Sequence, residues 1–131
     1  MKKLALLLLL ALVFTSFNSM QENTRYAFIT DTEHDKAYDE AGKNGYVNIT
    51  TNIVAVDCNL GTNAIEGQYI KHYEAEERTQ DRDRAFVGSS GITSAWIYNS
   101  YDEALASRRD WLANKGTERK RRIEHFYITC N

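Results

Sequence analysis

YVNITTNIVAVDC, residues 46–58, is the stretch on which the fold turns. Val47, Ile49, Thr51, Ile53 and Ala55 alternate with Asn48, Thr50 and Asn52. A side-chain period of two marks a strand with one face in a core. Towards the end Val54, Val56 and Cys58 take over the apolar phase. That shift predicts burial on both faces or a bulge. Upstream, Tyr26, Phe28 and Ile29 predict a short strand over residues 25–30. Residues 31–45 read as a polar loop that ends in the turn signal Asn44-Gly45.

Downstream, Asn63 has the chemistry of an N-cap, and Glu66 three residues on completes a capping-box pattern. Ile65, Tyr69 and Tyr73, with Ile70 beside them, form one apolar stripe of a helix. Its wholly polar end, residues 79–84, is expected to fray, and Gly88 to Gly91 to form a flexible loop. A strand follows over residues 92–98. Ser100 then caps a second helix, with Asp102 and Glu103 in the first turn, where the helix dipole favours negative charge. Tyr101, Ala104, Leu105, Arg108, Trp111 and Leu112 keep helical spacing, and Lys115-Gly116 ends it. Arg119 to Arg122 reads as a solvated basic loop. In a last strand Phe126, Ile128 and Cys130 alternate with His125, Tyr127 and Thr129.

The element order is ββαβαβ. No composition break divides it, so the prediction is a single two-layer α+β domain over residues 20–131. It has about four strands in a mixed or antiparallel sheet, with two helices on one face. After the first nineteen residues leucine occurs only at Leu60, Leu105 and Leu112. Aromatic and β-branched side chains must therefore build the core, which favours sheet.

Residues 1–19 have the three parts of a secretory signal peptide. Lys2 and Lys3 precede an apolar run from Leu4 to Phe14, and a short polar exit follows. That run is shorter than the roughly 20 apolar residues of a stable membrane span. The expectation is cleavage and release, periplasmic or secreted, with no membrane span afterwards, and the short leader has a bacterial look. The whole chain carries 16 basic and 18 acidic residues, net −2; without Lys2 and Lys3 the balance is 14 against 18, or −4. A mildly acidic domain is a poor match for nucleic acid, whose binding is dominated by phosphate neutralisation. In an oxidising compartment Cys58 and Cys130 are expected to pair, rather than remain two buried thiols.

Chemistry is sparse. His34, His72 and His125 show no metal-ligand spacing with one another or with a cysteine. Asp31, Glu33, His34 and Asp35 cluster in the predicted first loop, which lacks the glycine and spaced donors of an EF-hand. It is read as solvated. His72, four residues before Glu76, and His125 are read as surface groups. No nucleophile elbow, phosphate-binding glycine loop or C-x-x-C pair is present. No cofactor and no metal are expected. Asn48-Ile49-Thr50 matches an N-glycosylation acceptor but falls inside the predicted strand. Trp96, Tyr98, Arg108 and Trp111 are the candidate ligand-binding residues, as aromatics near a strand-to-helix turn and an arginine on an apolar helix stripe; the competing reading packs the rings on a core face and lets Arg108 lay its stem on the core with its head in water or on a carboxylate.

From Trp96 to Gly116 the chain is similar to half of a SPOR-type peptidoglycan-binding domain. The resemblance is carried by a strand, then Asn99-Ser100-Tyr101, then a helix with Ala104 and Leu112 and the terminal Gly116. It covers about a sixth of the chain, and Asn99 replaces the family's glycine before the Ser-aromatic pair. It implies glycan binding in the cell envelope. The residues themselves point to an exported, non-enzymatic binding module for a cell-envelope or extracellular protein or glycan. A small secreted hydrolase, with its site in the first loop or near His125, is the alternative. An enzyme requires two or more of His34, Asp35, His72, Glu76 and His125 to converge in a concave site.

Overall fold

The computed structural model describes residues 24–35, 40–77, 86–89 and 92–130. Residues 1–19, expected to be a leader, the polar stretch 79–84, and Ser90 and Gly91 of the expected loop lie outside them. The strands are β1 (Arg25–Asp35), β2 (Tyr46–Thr51), β3 (Val54–Val56), β4 (Phe86–Ser89), β5 (Ser94–Tyr98) and β6 (Lys120–Ile123). The helices are α1 (Thr62–His72), which runs on as a wider π-turn over Tyr73–Glu77, and α2 (Tyr101–Asn114).

β1 is the centre of the sheet. β2 and β3 pair with it antiparallel along one edge, and β5 and β4 along the other. β6 joins the outer side of β2 in parallel, so the sheet is mixed. The stretch 46–58 is a strand, as its alternation predicts, and the change of phase is a break at Asn52 and Ile53. β1 is longer than expected. It continues through the polar segment to Asp35, because each of residues 30–34 has a partner in β2.

Adjacent positions on β1 face opposite ways, and both faces are apolar. Ala27 and Ile29 point into a core built with Val47, Ile49, Val56, Ile65, Tyr69, Tyr73, Ile123 and Phe126. Tyr26 and Phe28 point to the other side. There Phe28 stacks on Tyr98 at 6.1 Å, and Tyr26 meets Tyr101 of α2 edge-on at 5.8 Å. Hence α1 covers one face and α2 the other. The expected helices and mixed sheet are present, but the helices do not share a face. A strand reading Tyr-Ala-Phe-Ile exposes large apolar area on whichever side is left bare, so each side takes a helix.

Local signals act unevenly. Ser100 caps α2 as expected, accepting from the Glu103 backbone N–H at 3.2 Å. Gly116 follows α2 at a φ of 52°, a backbone region that costs glycine little. Asn63 does not cap α1. That helix starts at Thr62 with Gly61 at the cap, and Glu66 instead accepts from the Ala95 N–H of β5 at 2.9 Å. Two further expectations give way. Gly88 and Ser89, expected in a flexible loop, belong to β4, a strand on β1. The basic run forms β6 because Asn48 to Thr51 offer it a free sheet edge. Asn48 is buried at 2 % exposure and donates to Glu118, which is no place for a glycan.

The first acidic cluster is not a solvated loop. Asp31 is 2 % exposed and Glu33 3 %. Asp31 accepts from Tyr69 Oη at 3.1 Å, Thr93 Oγ1 at 3.0 Å and the Thr32 N–H at 2.8 Å. Burial, and then the charge of and hydrogen bond to Asp31, push the Tyr69 hydroxyl well above its ordinary range. An unfolded tyrosine ionises near about pH 10. The raised folded value therefore contributes stability that is complete below that pH and is lost as pH rises past it. Tyr69→Phe is expected to cost about 1–2 kcal/mol at neutral pH. The gap to the unsubstituted protein should narrow in urea melts above about pH 10, and a gap constant with pH would contradict the assignment.

Candidate functional site

The site lies where α1 and its π-turn meet the C-terminal segment. Residues 125–130 were expected to form a strand, yet they pair with none of the described strands. The expected alternation holds as far as Ile128, with Phe126 buried and Ile128 half-buried while His125 and Tyr127 are exposed, and Cys130 is exposed beside Thr129. Side-chain amides replace the missing ladder. Asn52, at the break between β2 and β3, accepts from the Phe126 N–H at 2.9 Å and donates to its carbonyl at 3.0 Å. Gln68 of α1 does the same for Thr129, accepting and donating at 2.8 Å each. An amide side chain presents the same donor and acceptor as a peptide group.

A disulfide completes the attachment. Cys58 and Cys130 are bonded, their Cα atoms 5.7 Å apart, within the normal range for such bonds. The Cys58 end is itself held, since the Arg25 guanidinium donates to the carbonyls of Cys58 and Leu60 at 2.9 and 2.8 Å.

The segment so held brings His125 to His72, with ring centroids 5.7 Å apart. His72 is the last residue of α1 and is 8 % exposed, not a surface group as expected. Its ring is also edge-on to Phe126 at 5.6 Å and to Tyr127 at 5.9 Å. His72 Nδ1 lies 3.8 Å from Glu76 Oε2, one turn on. One ligand-type atom from each of His72, Glu76 and His125 falls within 4.8 Å of the others. Beside them opens a pocket of about 440 Å³ lined by Gln68, Lys71, His72, Ala75, Glu76, Tyr127 and Thr129. Two imidazoles and one carboxylate form a donor set that can hold a metal ion or move a proton.

Three of the five titratable residues named for an enzyme thus converge. His34 is elsewhere, in β1 and edge-on to Tyr46 at 5.1 Å. The cluster was not legible from spacing, because His125 lies 53 positions from His72 and is brought back by a non-ladder segment. The His72–Glu76 spacing on an amphipathic helix was the only hint.

The candidate residues Trp96, Tyr98, Arg108 and Trp111 have separate partners. Trp96 is 42 % exposed and its Nε1 donates to Thr30 Oγ1 at 2.9 Å. Tyr98 stacks on Phe28, and its hydroxyl hydrogen-bonds Ser107. Arg108 Nε donates to the Thr51 carbonyl at 2.7 Å, with Glu124 at 3.6 Å from its Nη2. Trp111 is half-buried under the Lys115 ammonium, 5.3 Å from the ring centroid. None of the four lines the pocket beside His72.

Among the described residues no helix is long and apolar enough to cross a membrane. Compared with protein-family models, curated proteins and solved structures, the chain matches none.

Proposed function

We propose that this chain is an exported binding domain, periplasmic or secreted, whose binding surface is the pocket between α1 and the C-terminal segment. The observation that carries the reading is how that pocket is made. Its outer wall has no ladder of its own and is held by two side-chain amides and the Cys58–Cys130 bond. Disulfides persist in oxidising compartments, in keeping with the leader-like residues 1–19. The lining mixes an exposed ring, Tyr127, with Lys71, Gln68 and Glu76, a surface suited to a polar partner of the cell envelope or extracellular space, protein or glycan.

The test uses mature protein as bait in cell-envelope extract. Loss of retention in Tyr127→Ala, with retention kept in Trp96→Ala, supports this pocket. The reverse pattern favours a glycan-binding surface around the exposed Trp96. Intact mass under non-reducing conditions reads the leader cut and the disulfide in the same sample.

The convergence of His72, Glu76 and His125 favours a second reading, a metal-assisted hydrolase. It ranks below binding because, among the described residues, Glu76 is the one carboxylate lining the pocket. If it holds a metal, the described lining offers no second carboxylate as general base.

A further inference from the structure

We infer that His72, Glu76 and His125 form a three-ligand site for a divalent transition-metal ion of the zinc class, with its fourth position open to the pocket. The inference rests on reading that pocket as the binding surface, and it names what the surface holds.

The donor chemistry selects the ion. Calcium and magnesium take oxygen ligands, whereas two of these three donors are imidazoles. Zinc and its neighbours accept imidazole with carboxylate.

The geometry is close to what such an ion needs. Ligand bonds of about 2.0–2.2 Å put the corners of a tetrahedral zinc site about 3.4 Å apart. His72 Nδ1 and Glu76 Oε2 stand at 3.8 Å, and the whole triad lies within 4.8 Å. Closing the remainder requires the ligand side chains to move onto the ion. His72 is the fixed member, buried and packed against Phe126, Tyr127 and His125. Glu76 and His125 are the exposed members that rotate onto the ion.

A second feature of the backbone points to the same place. α1 ends at His72, and Glu76 belongs to the π-turn that follows. Single π-turns cost regular hydrogen bonding and recur at functional sites, where they re-aim a side chain. On the other wall, Asn52 grips the peptide groups of Phe126, the residue after His125. The C-terminal wall is thus held by a contact remote in sequence, which keeps the backbone at His125 beside His72.

The test is calorimetric titration of disulfide-bonded, tag-free protein with zinc chloride, and with magnesium chloride for comparison. An intact disulfide removes thiolates as competing ligands. The expected result is saturation at one zinc per chain and no magnesium binding. His125→Ala and Glu76→Gln should each weaken zinc binding at least about tenfold, and His34→Ala should leave it unchanged. Imidazole nitrogen resonances of His72 and His125, but not His34, should shift on zinc addition, which reports on His72 without substituting a buried residue. Equal zinc affinity in the unsubstituted protein, His125→Ala and Glu76→Gln, or unshifted His72 and His125, overturns the site. Zinc binding at this triad by a protein that retains nothing from envelope extract leaves the metal site standing and removes the binding-domain reading.

Discussion

Replacing Cys58 and Cys130 by serine is expected to lower the unfolding free energy by roughly 4 kcal/mol. The bond joins residues 72 apart in sequence. In the chain-entropy model a cross-link over a loop of that length removes much of the freedom of the unfolded chain. Small domains are stable by only about 5–15 kcal/mol, so the loss is a large fraction of the total. The damage should not be uniform. The segment after β6 pairs with none of the described strands and hangs on Asn52, Gln68 and the sulfur bridge. Its amides should lose hydrogen-exchange protection first, from Phe126 to Thr129, while β1 and β2 remain protected. Urea melts of the double variant, and of the unsubstituted protein in reductant, read the first effect. Exchange mass spectrometry reads the second. An unchanged urea midpoint would mean that the C-terminal segment is secured without its bridge.

The second large effect is at Phe28. Phe28→Ala is expected to cost about 3–5 kcal/mol, the usual range for deleting a buried aromatic ring. Phe28 is 1 % exposed and stacks on Tyr98, which in turn bonds to Ser107 of α2. Its neighbour Ile29 is fully buried on the opposite face, in the core beneath α1. Ile29→Ala should cost about 2–5 kcal/mol. The pair tests the layering directly. If one face of the sheet were bare, one of the two substitutions would behave as a surface change, within about 0.5 kcal/mol. Comparable losses at both positions are what a sheet sandwiched between two helices requires. A near-neutral Phe28→Ala would remove α2 from the place given to it above.

The same residue pair shows why the layering was hard to read in advance. The alternation of residues 46–58 declares a strand but leaves open what covers its polar-looking side. Tyr26-Ala27-Phe28-Ile29 is apolar on both faces, and that is the local sign that two covers are needed. The acidic residues after it masked how far the strand runs. Asp31 and Glu33 have the composition of a loop, yet they are buried, and Asp31 is satisfied by Tyr69, Thr93 and the Thr32 N–H. Those side-chain partners lie 38 and 62 positions away, and no local rule sees them. The basic run behaved similarly. Charge predicted solvent exposure, which four consecutive cations retain in part, but an open edge on β2 drew the backbone into the sheet.

The candidate site was legible only in fragments. His72 and Glu76 were visible as an i, i+4 pair on a helix, and Cys58 with Cys130 as a disulfide in the making. Of the four residues first singled out, Tyr98, Arg108 and Trp111 serve contacts of α2, Trp96 bonds to Thr30 of β1, and none lines the pocket. His125 acquired its partner through Asn52 and Gln68, whose amides substitute for peptide groups. Such mimicry has no sequence pattern, because any exposed amide is a candidate and only the tertiary position selects one.

Short-range physics belongs to the sequence alone. Periods of two and of nearly four and the serine cap of α2 depend on neighbours, so the residue string determined an α+β chain with one cysteine pair to offer, and the structure joins that pair. The assembled tertiary structure decided the rest: which face each helix covers, that buried acids extend β1, and that two histidines and a glutamate meet beside a pocket. Each of those outcomes depends on groups brought together across dozens of residues, where the free energy of burial is shared among partners that no local window contains.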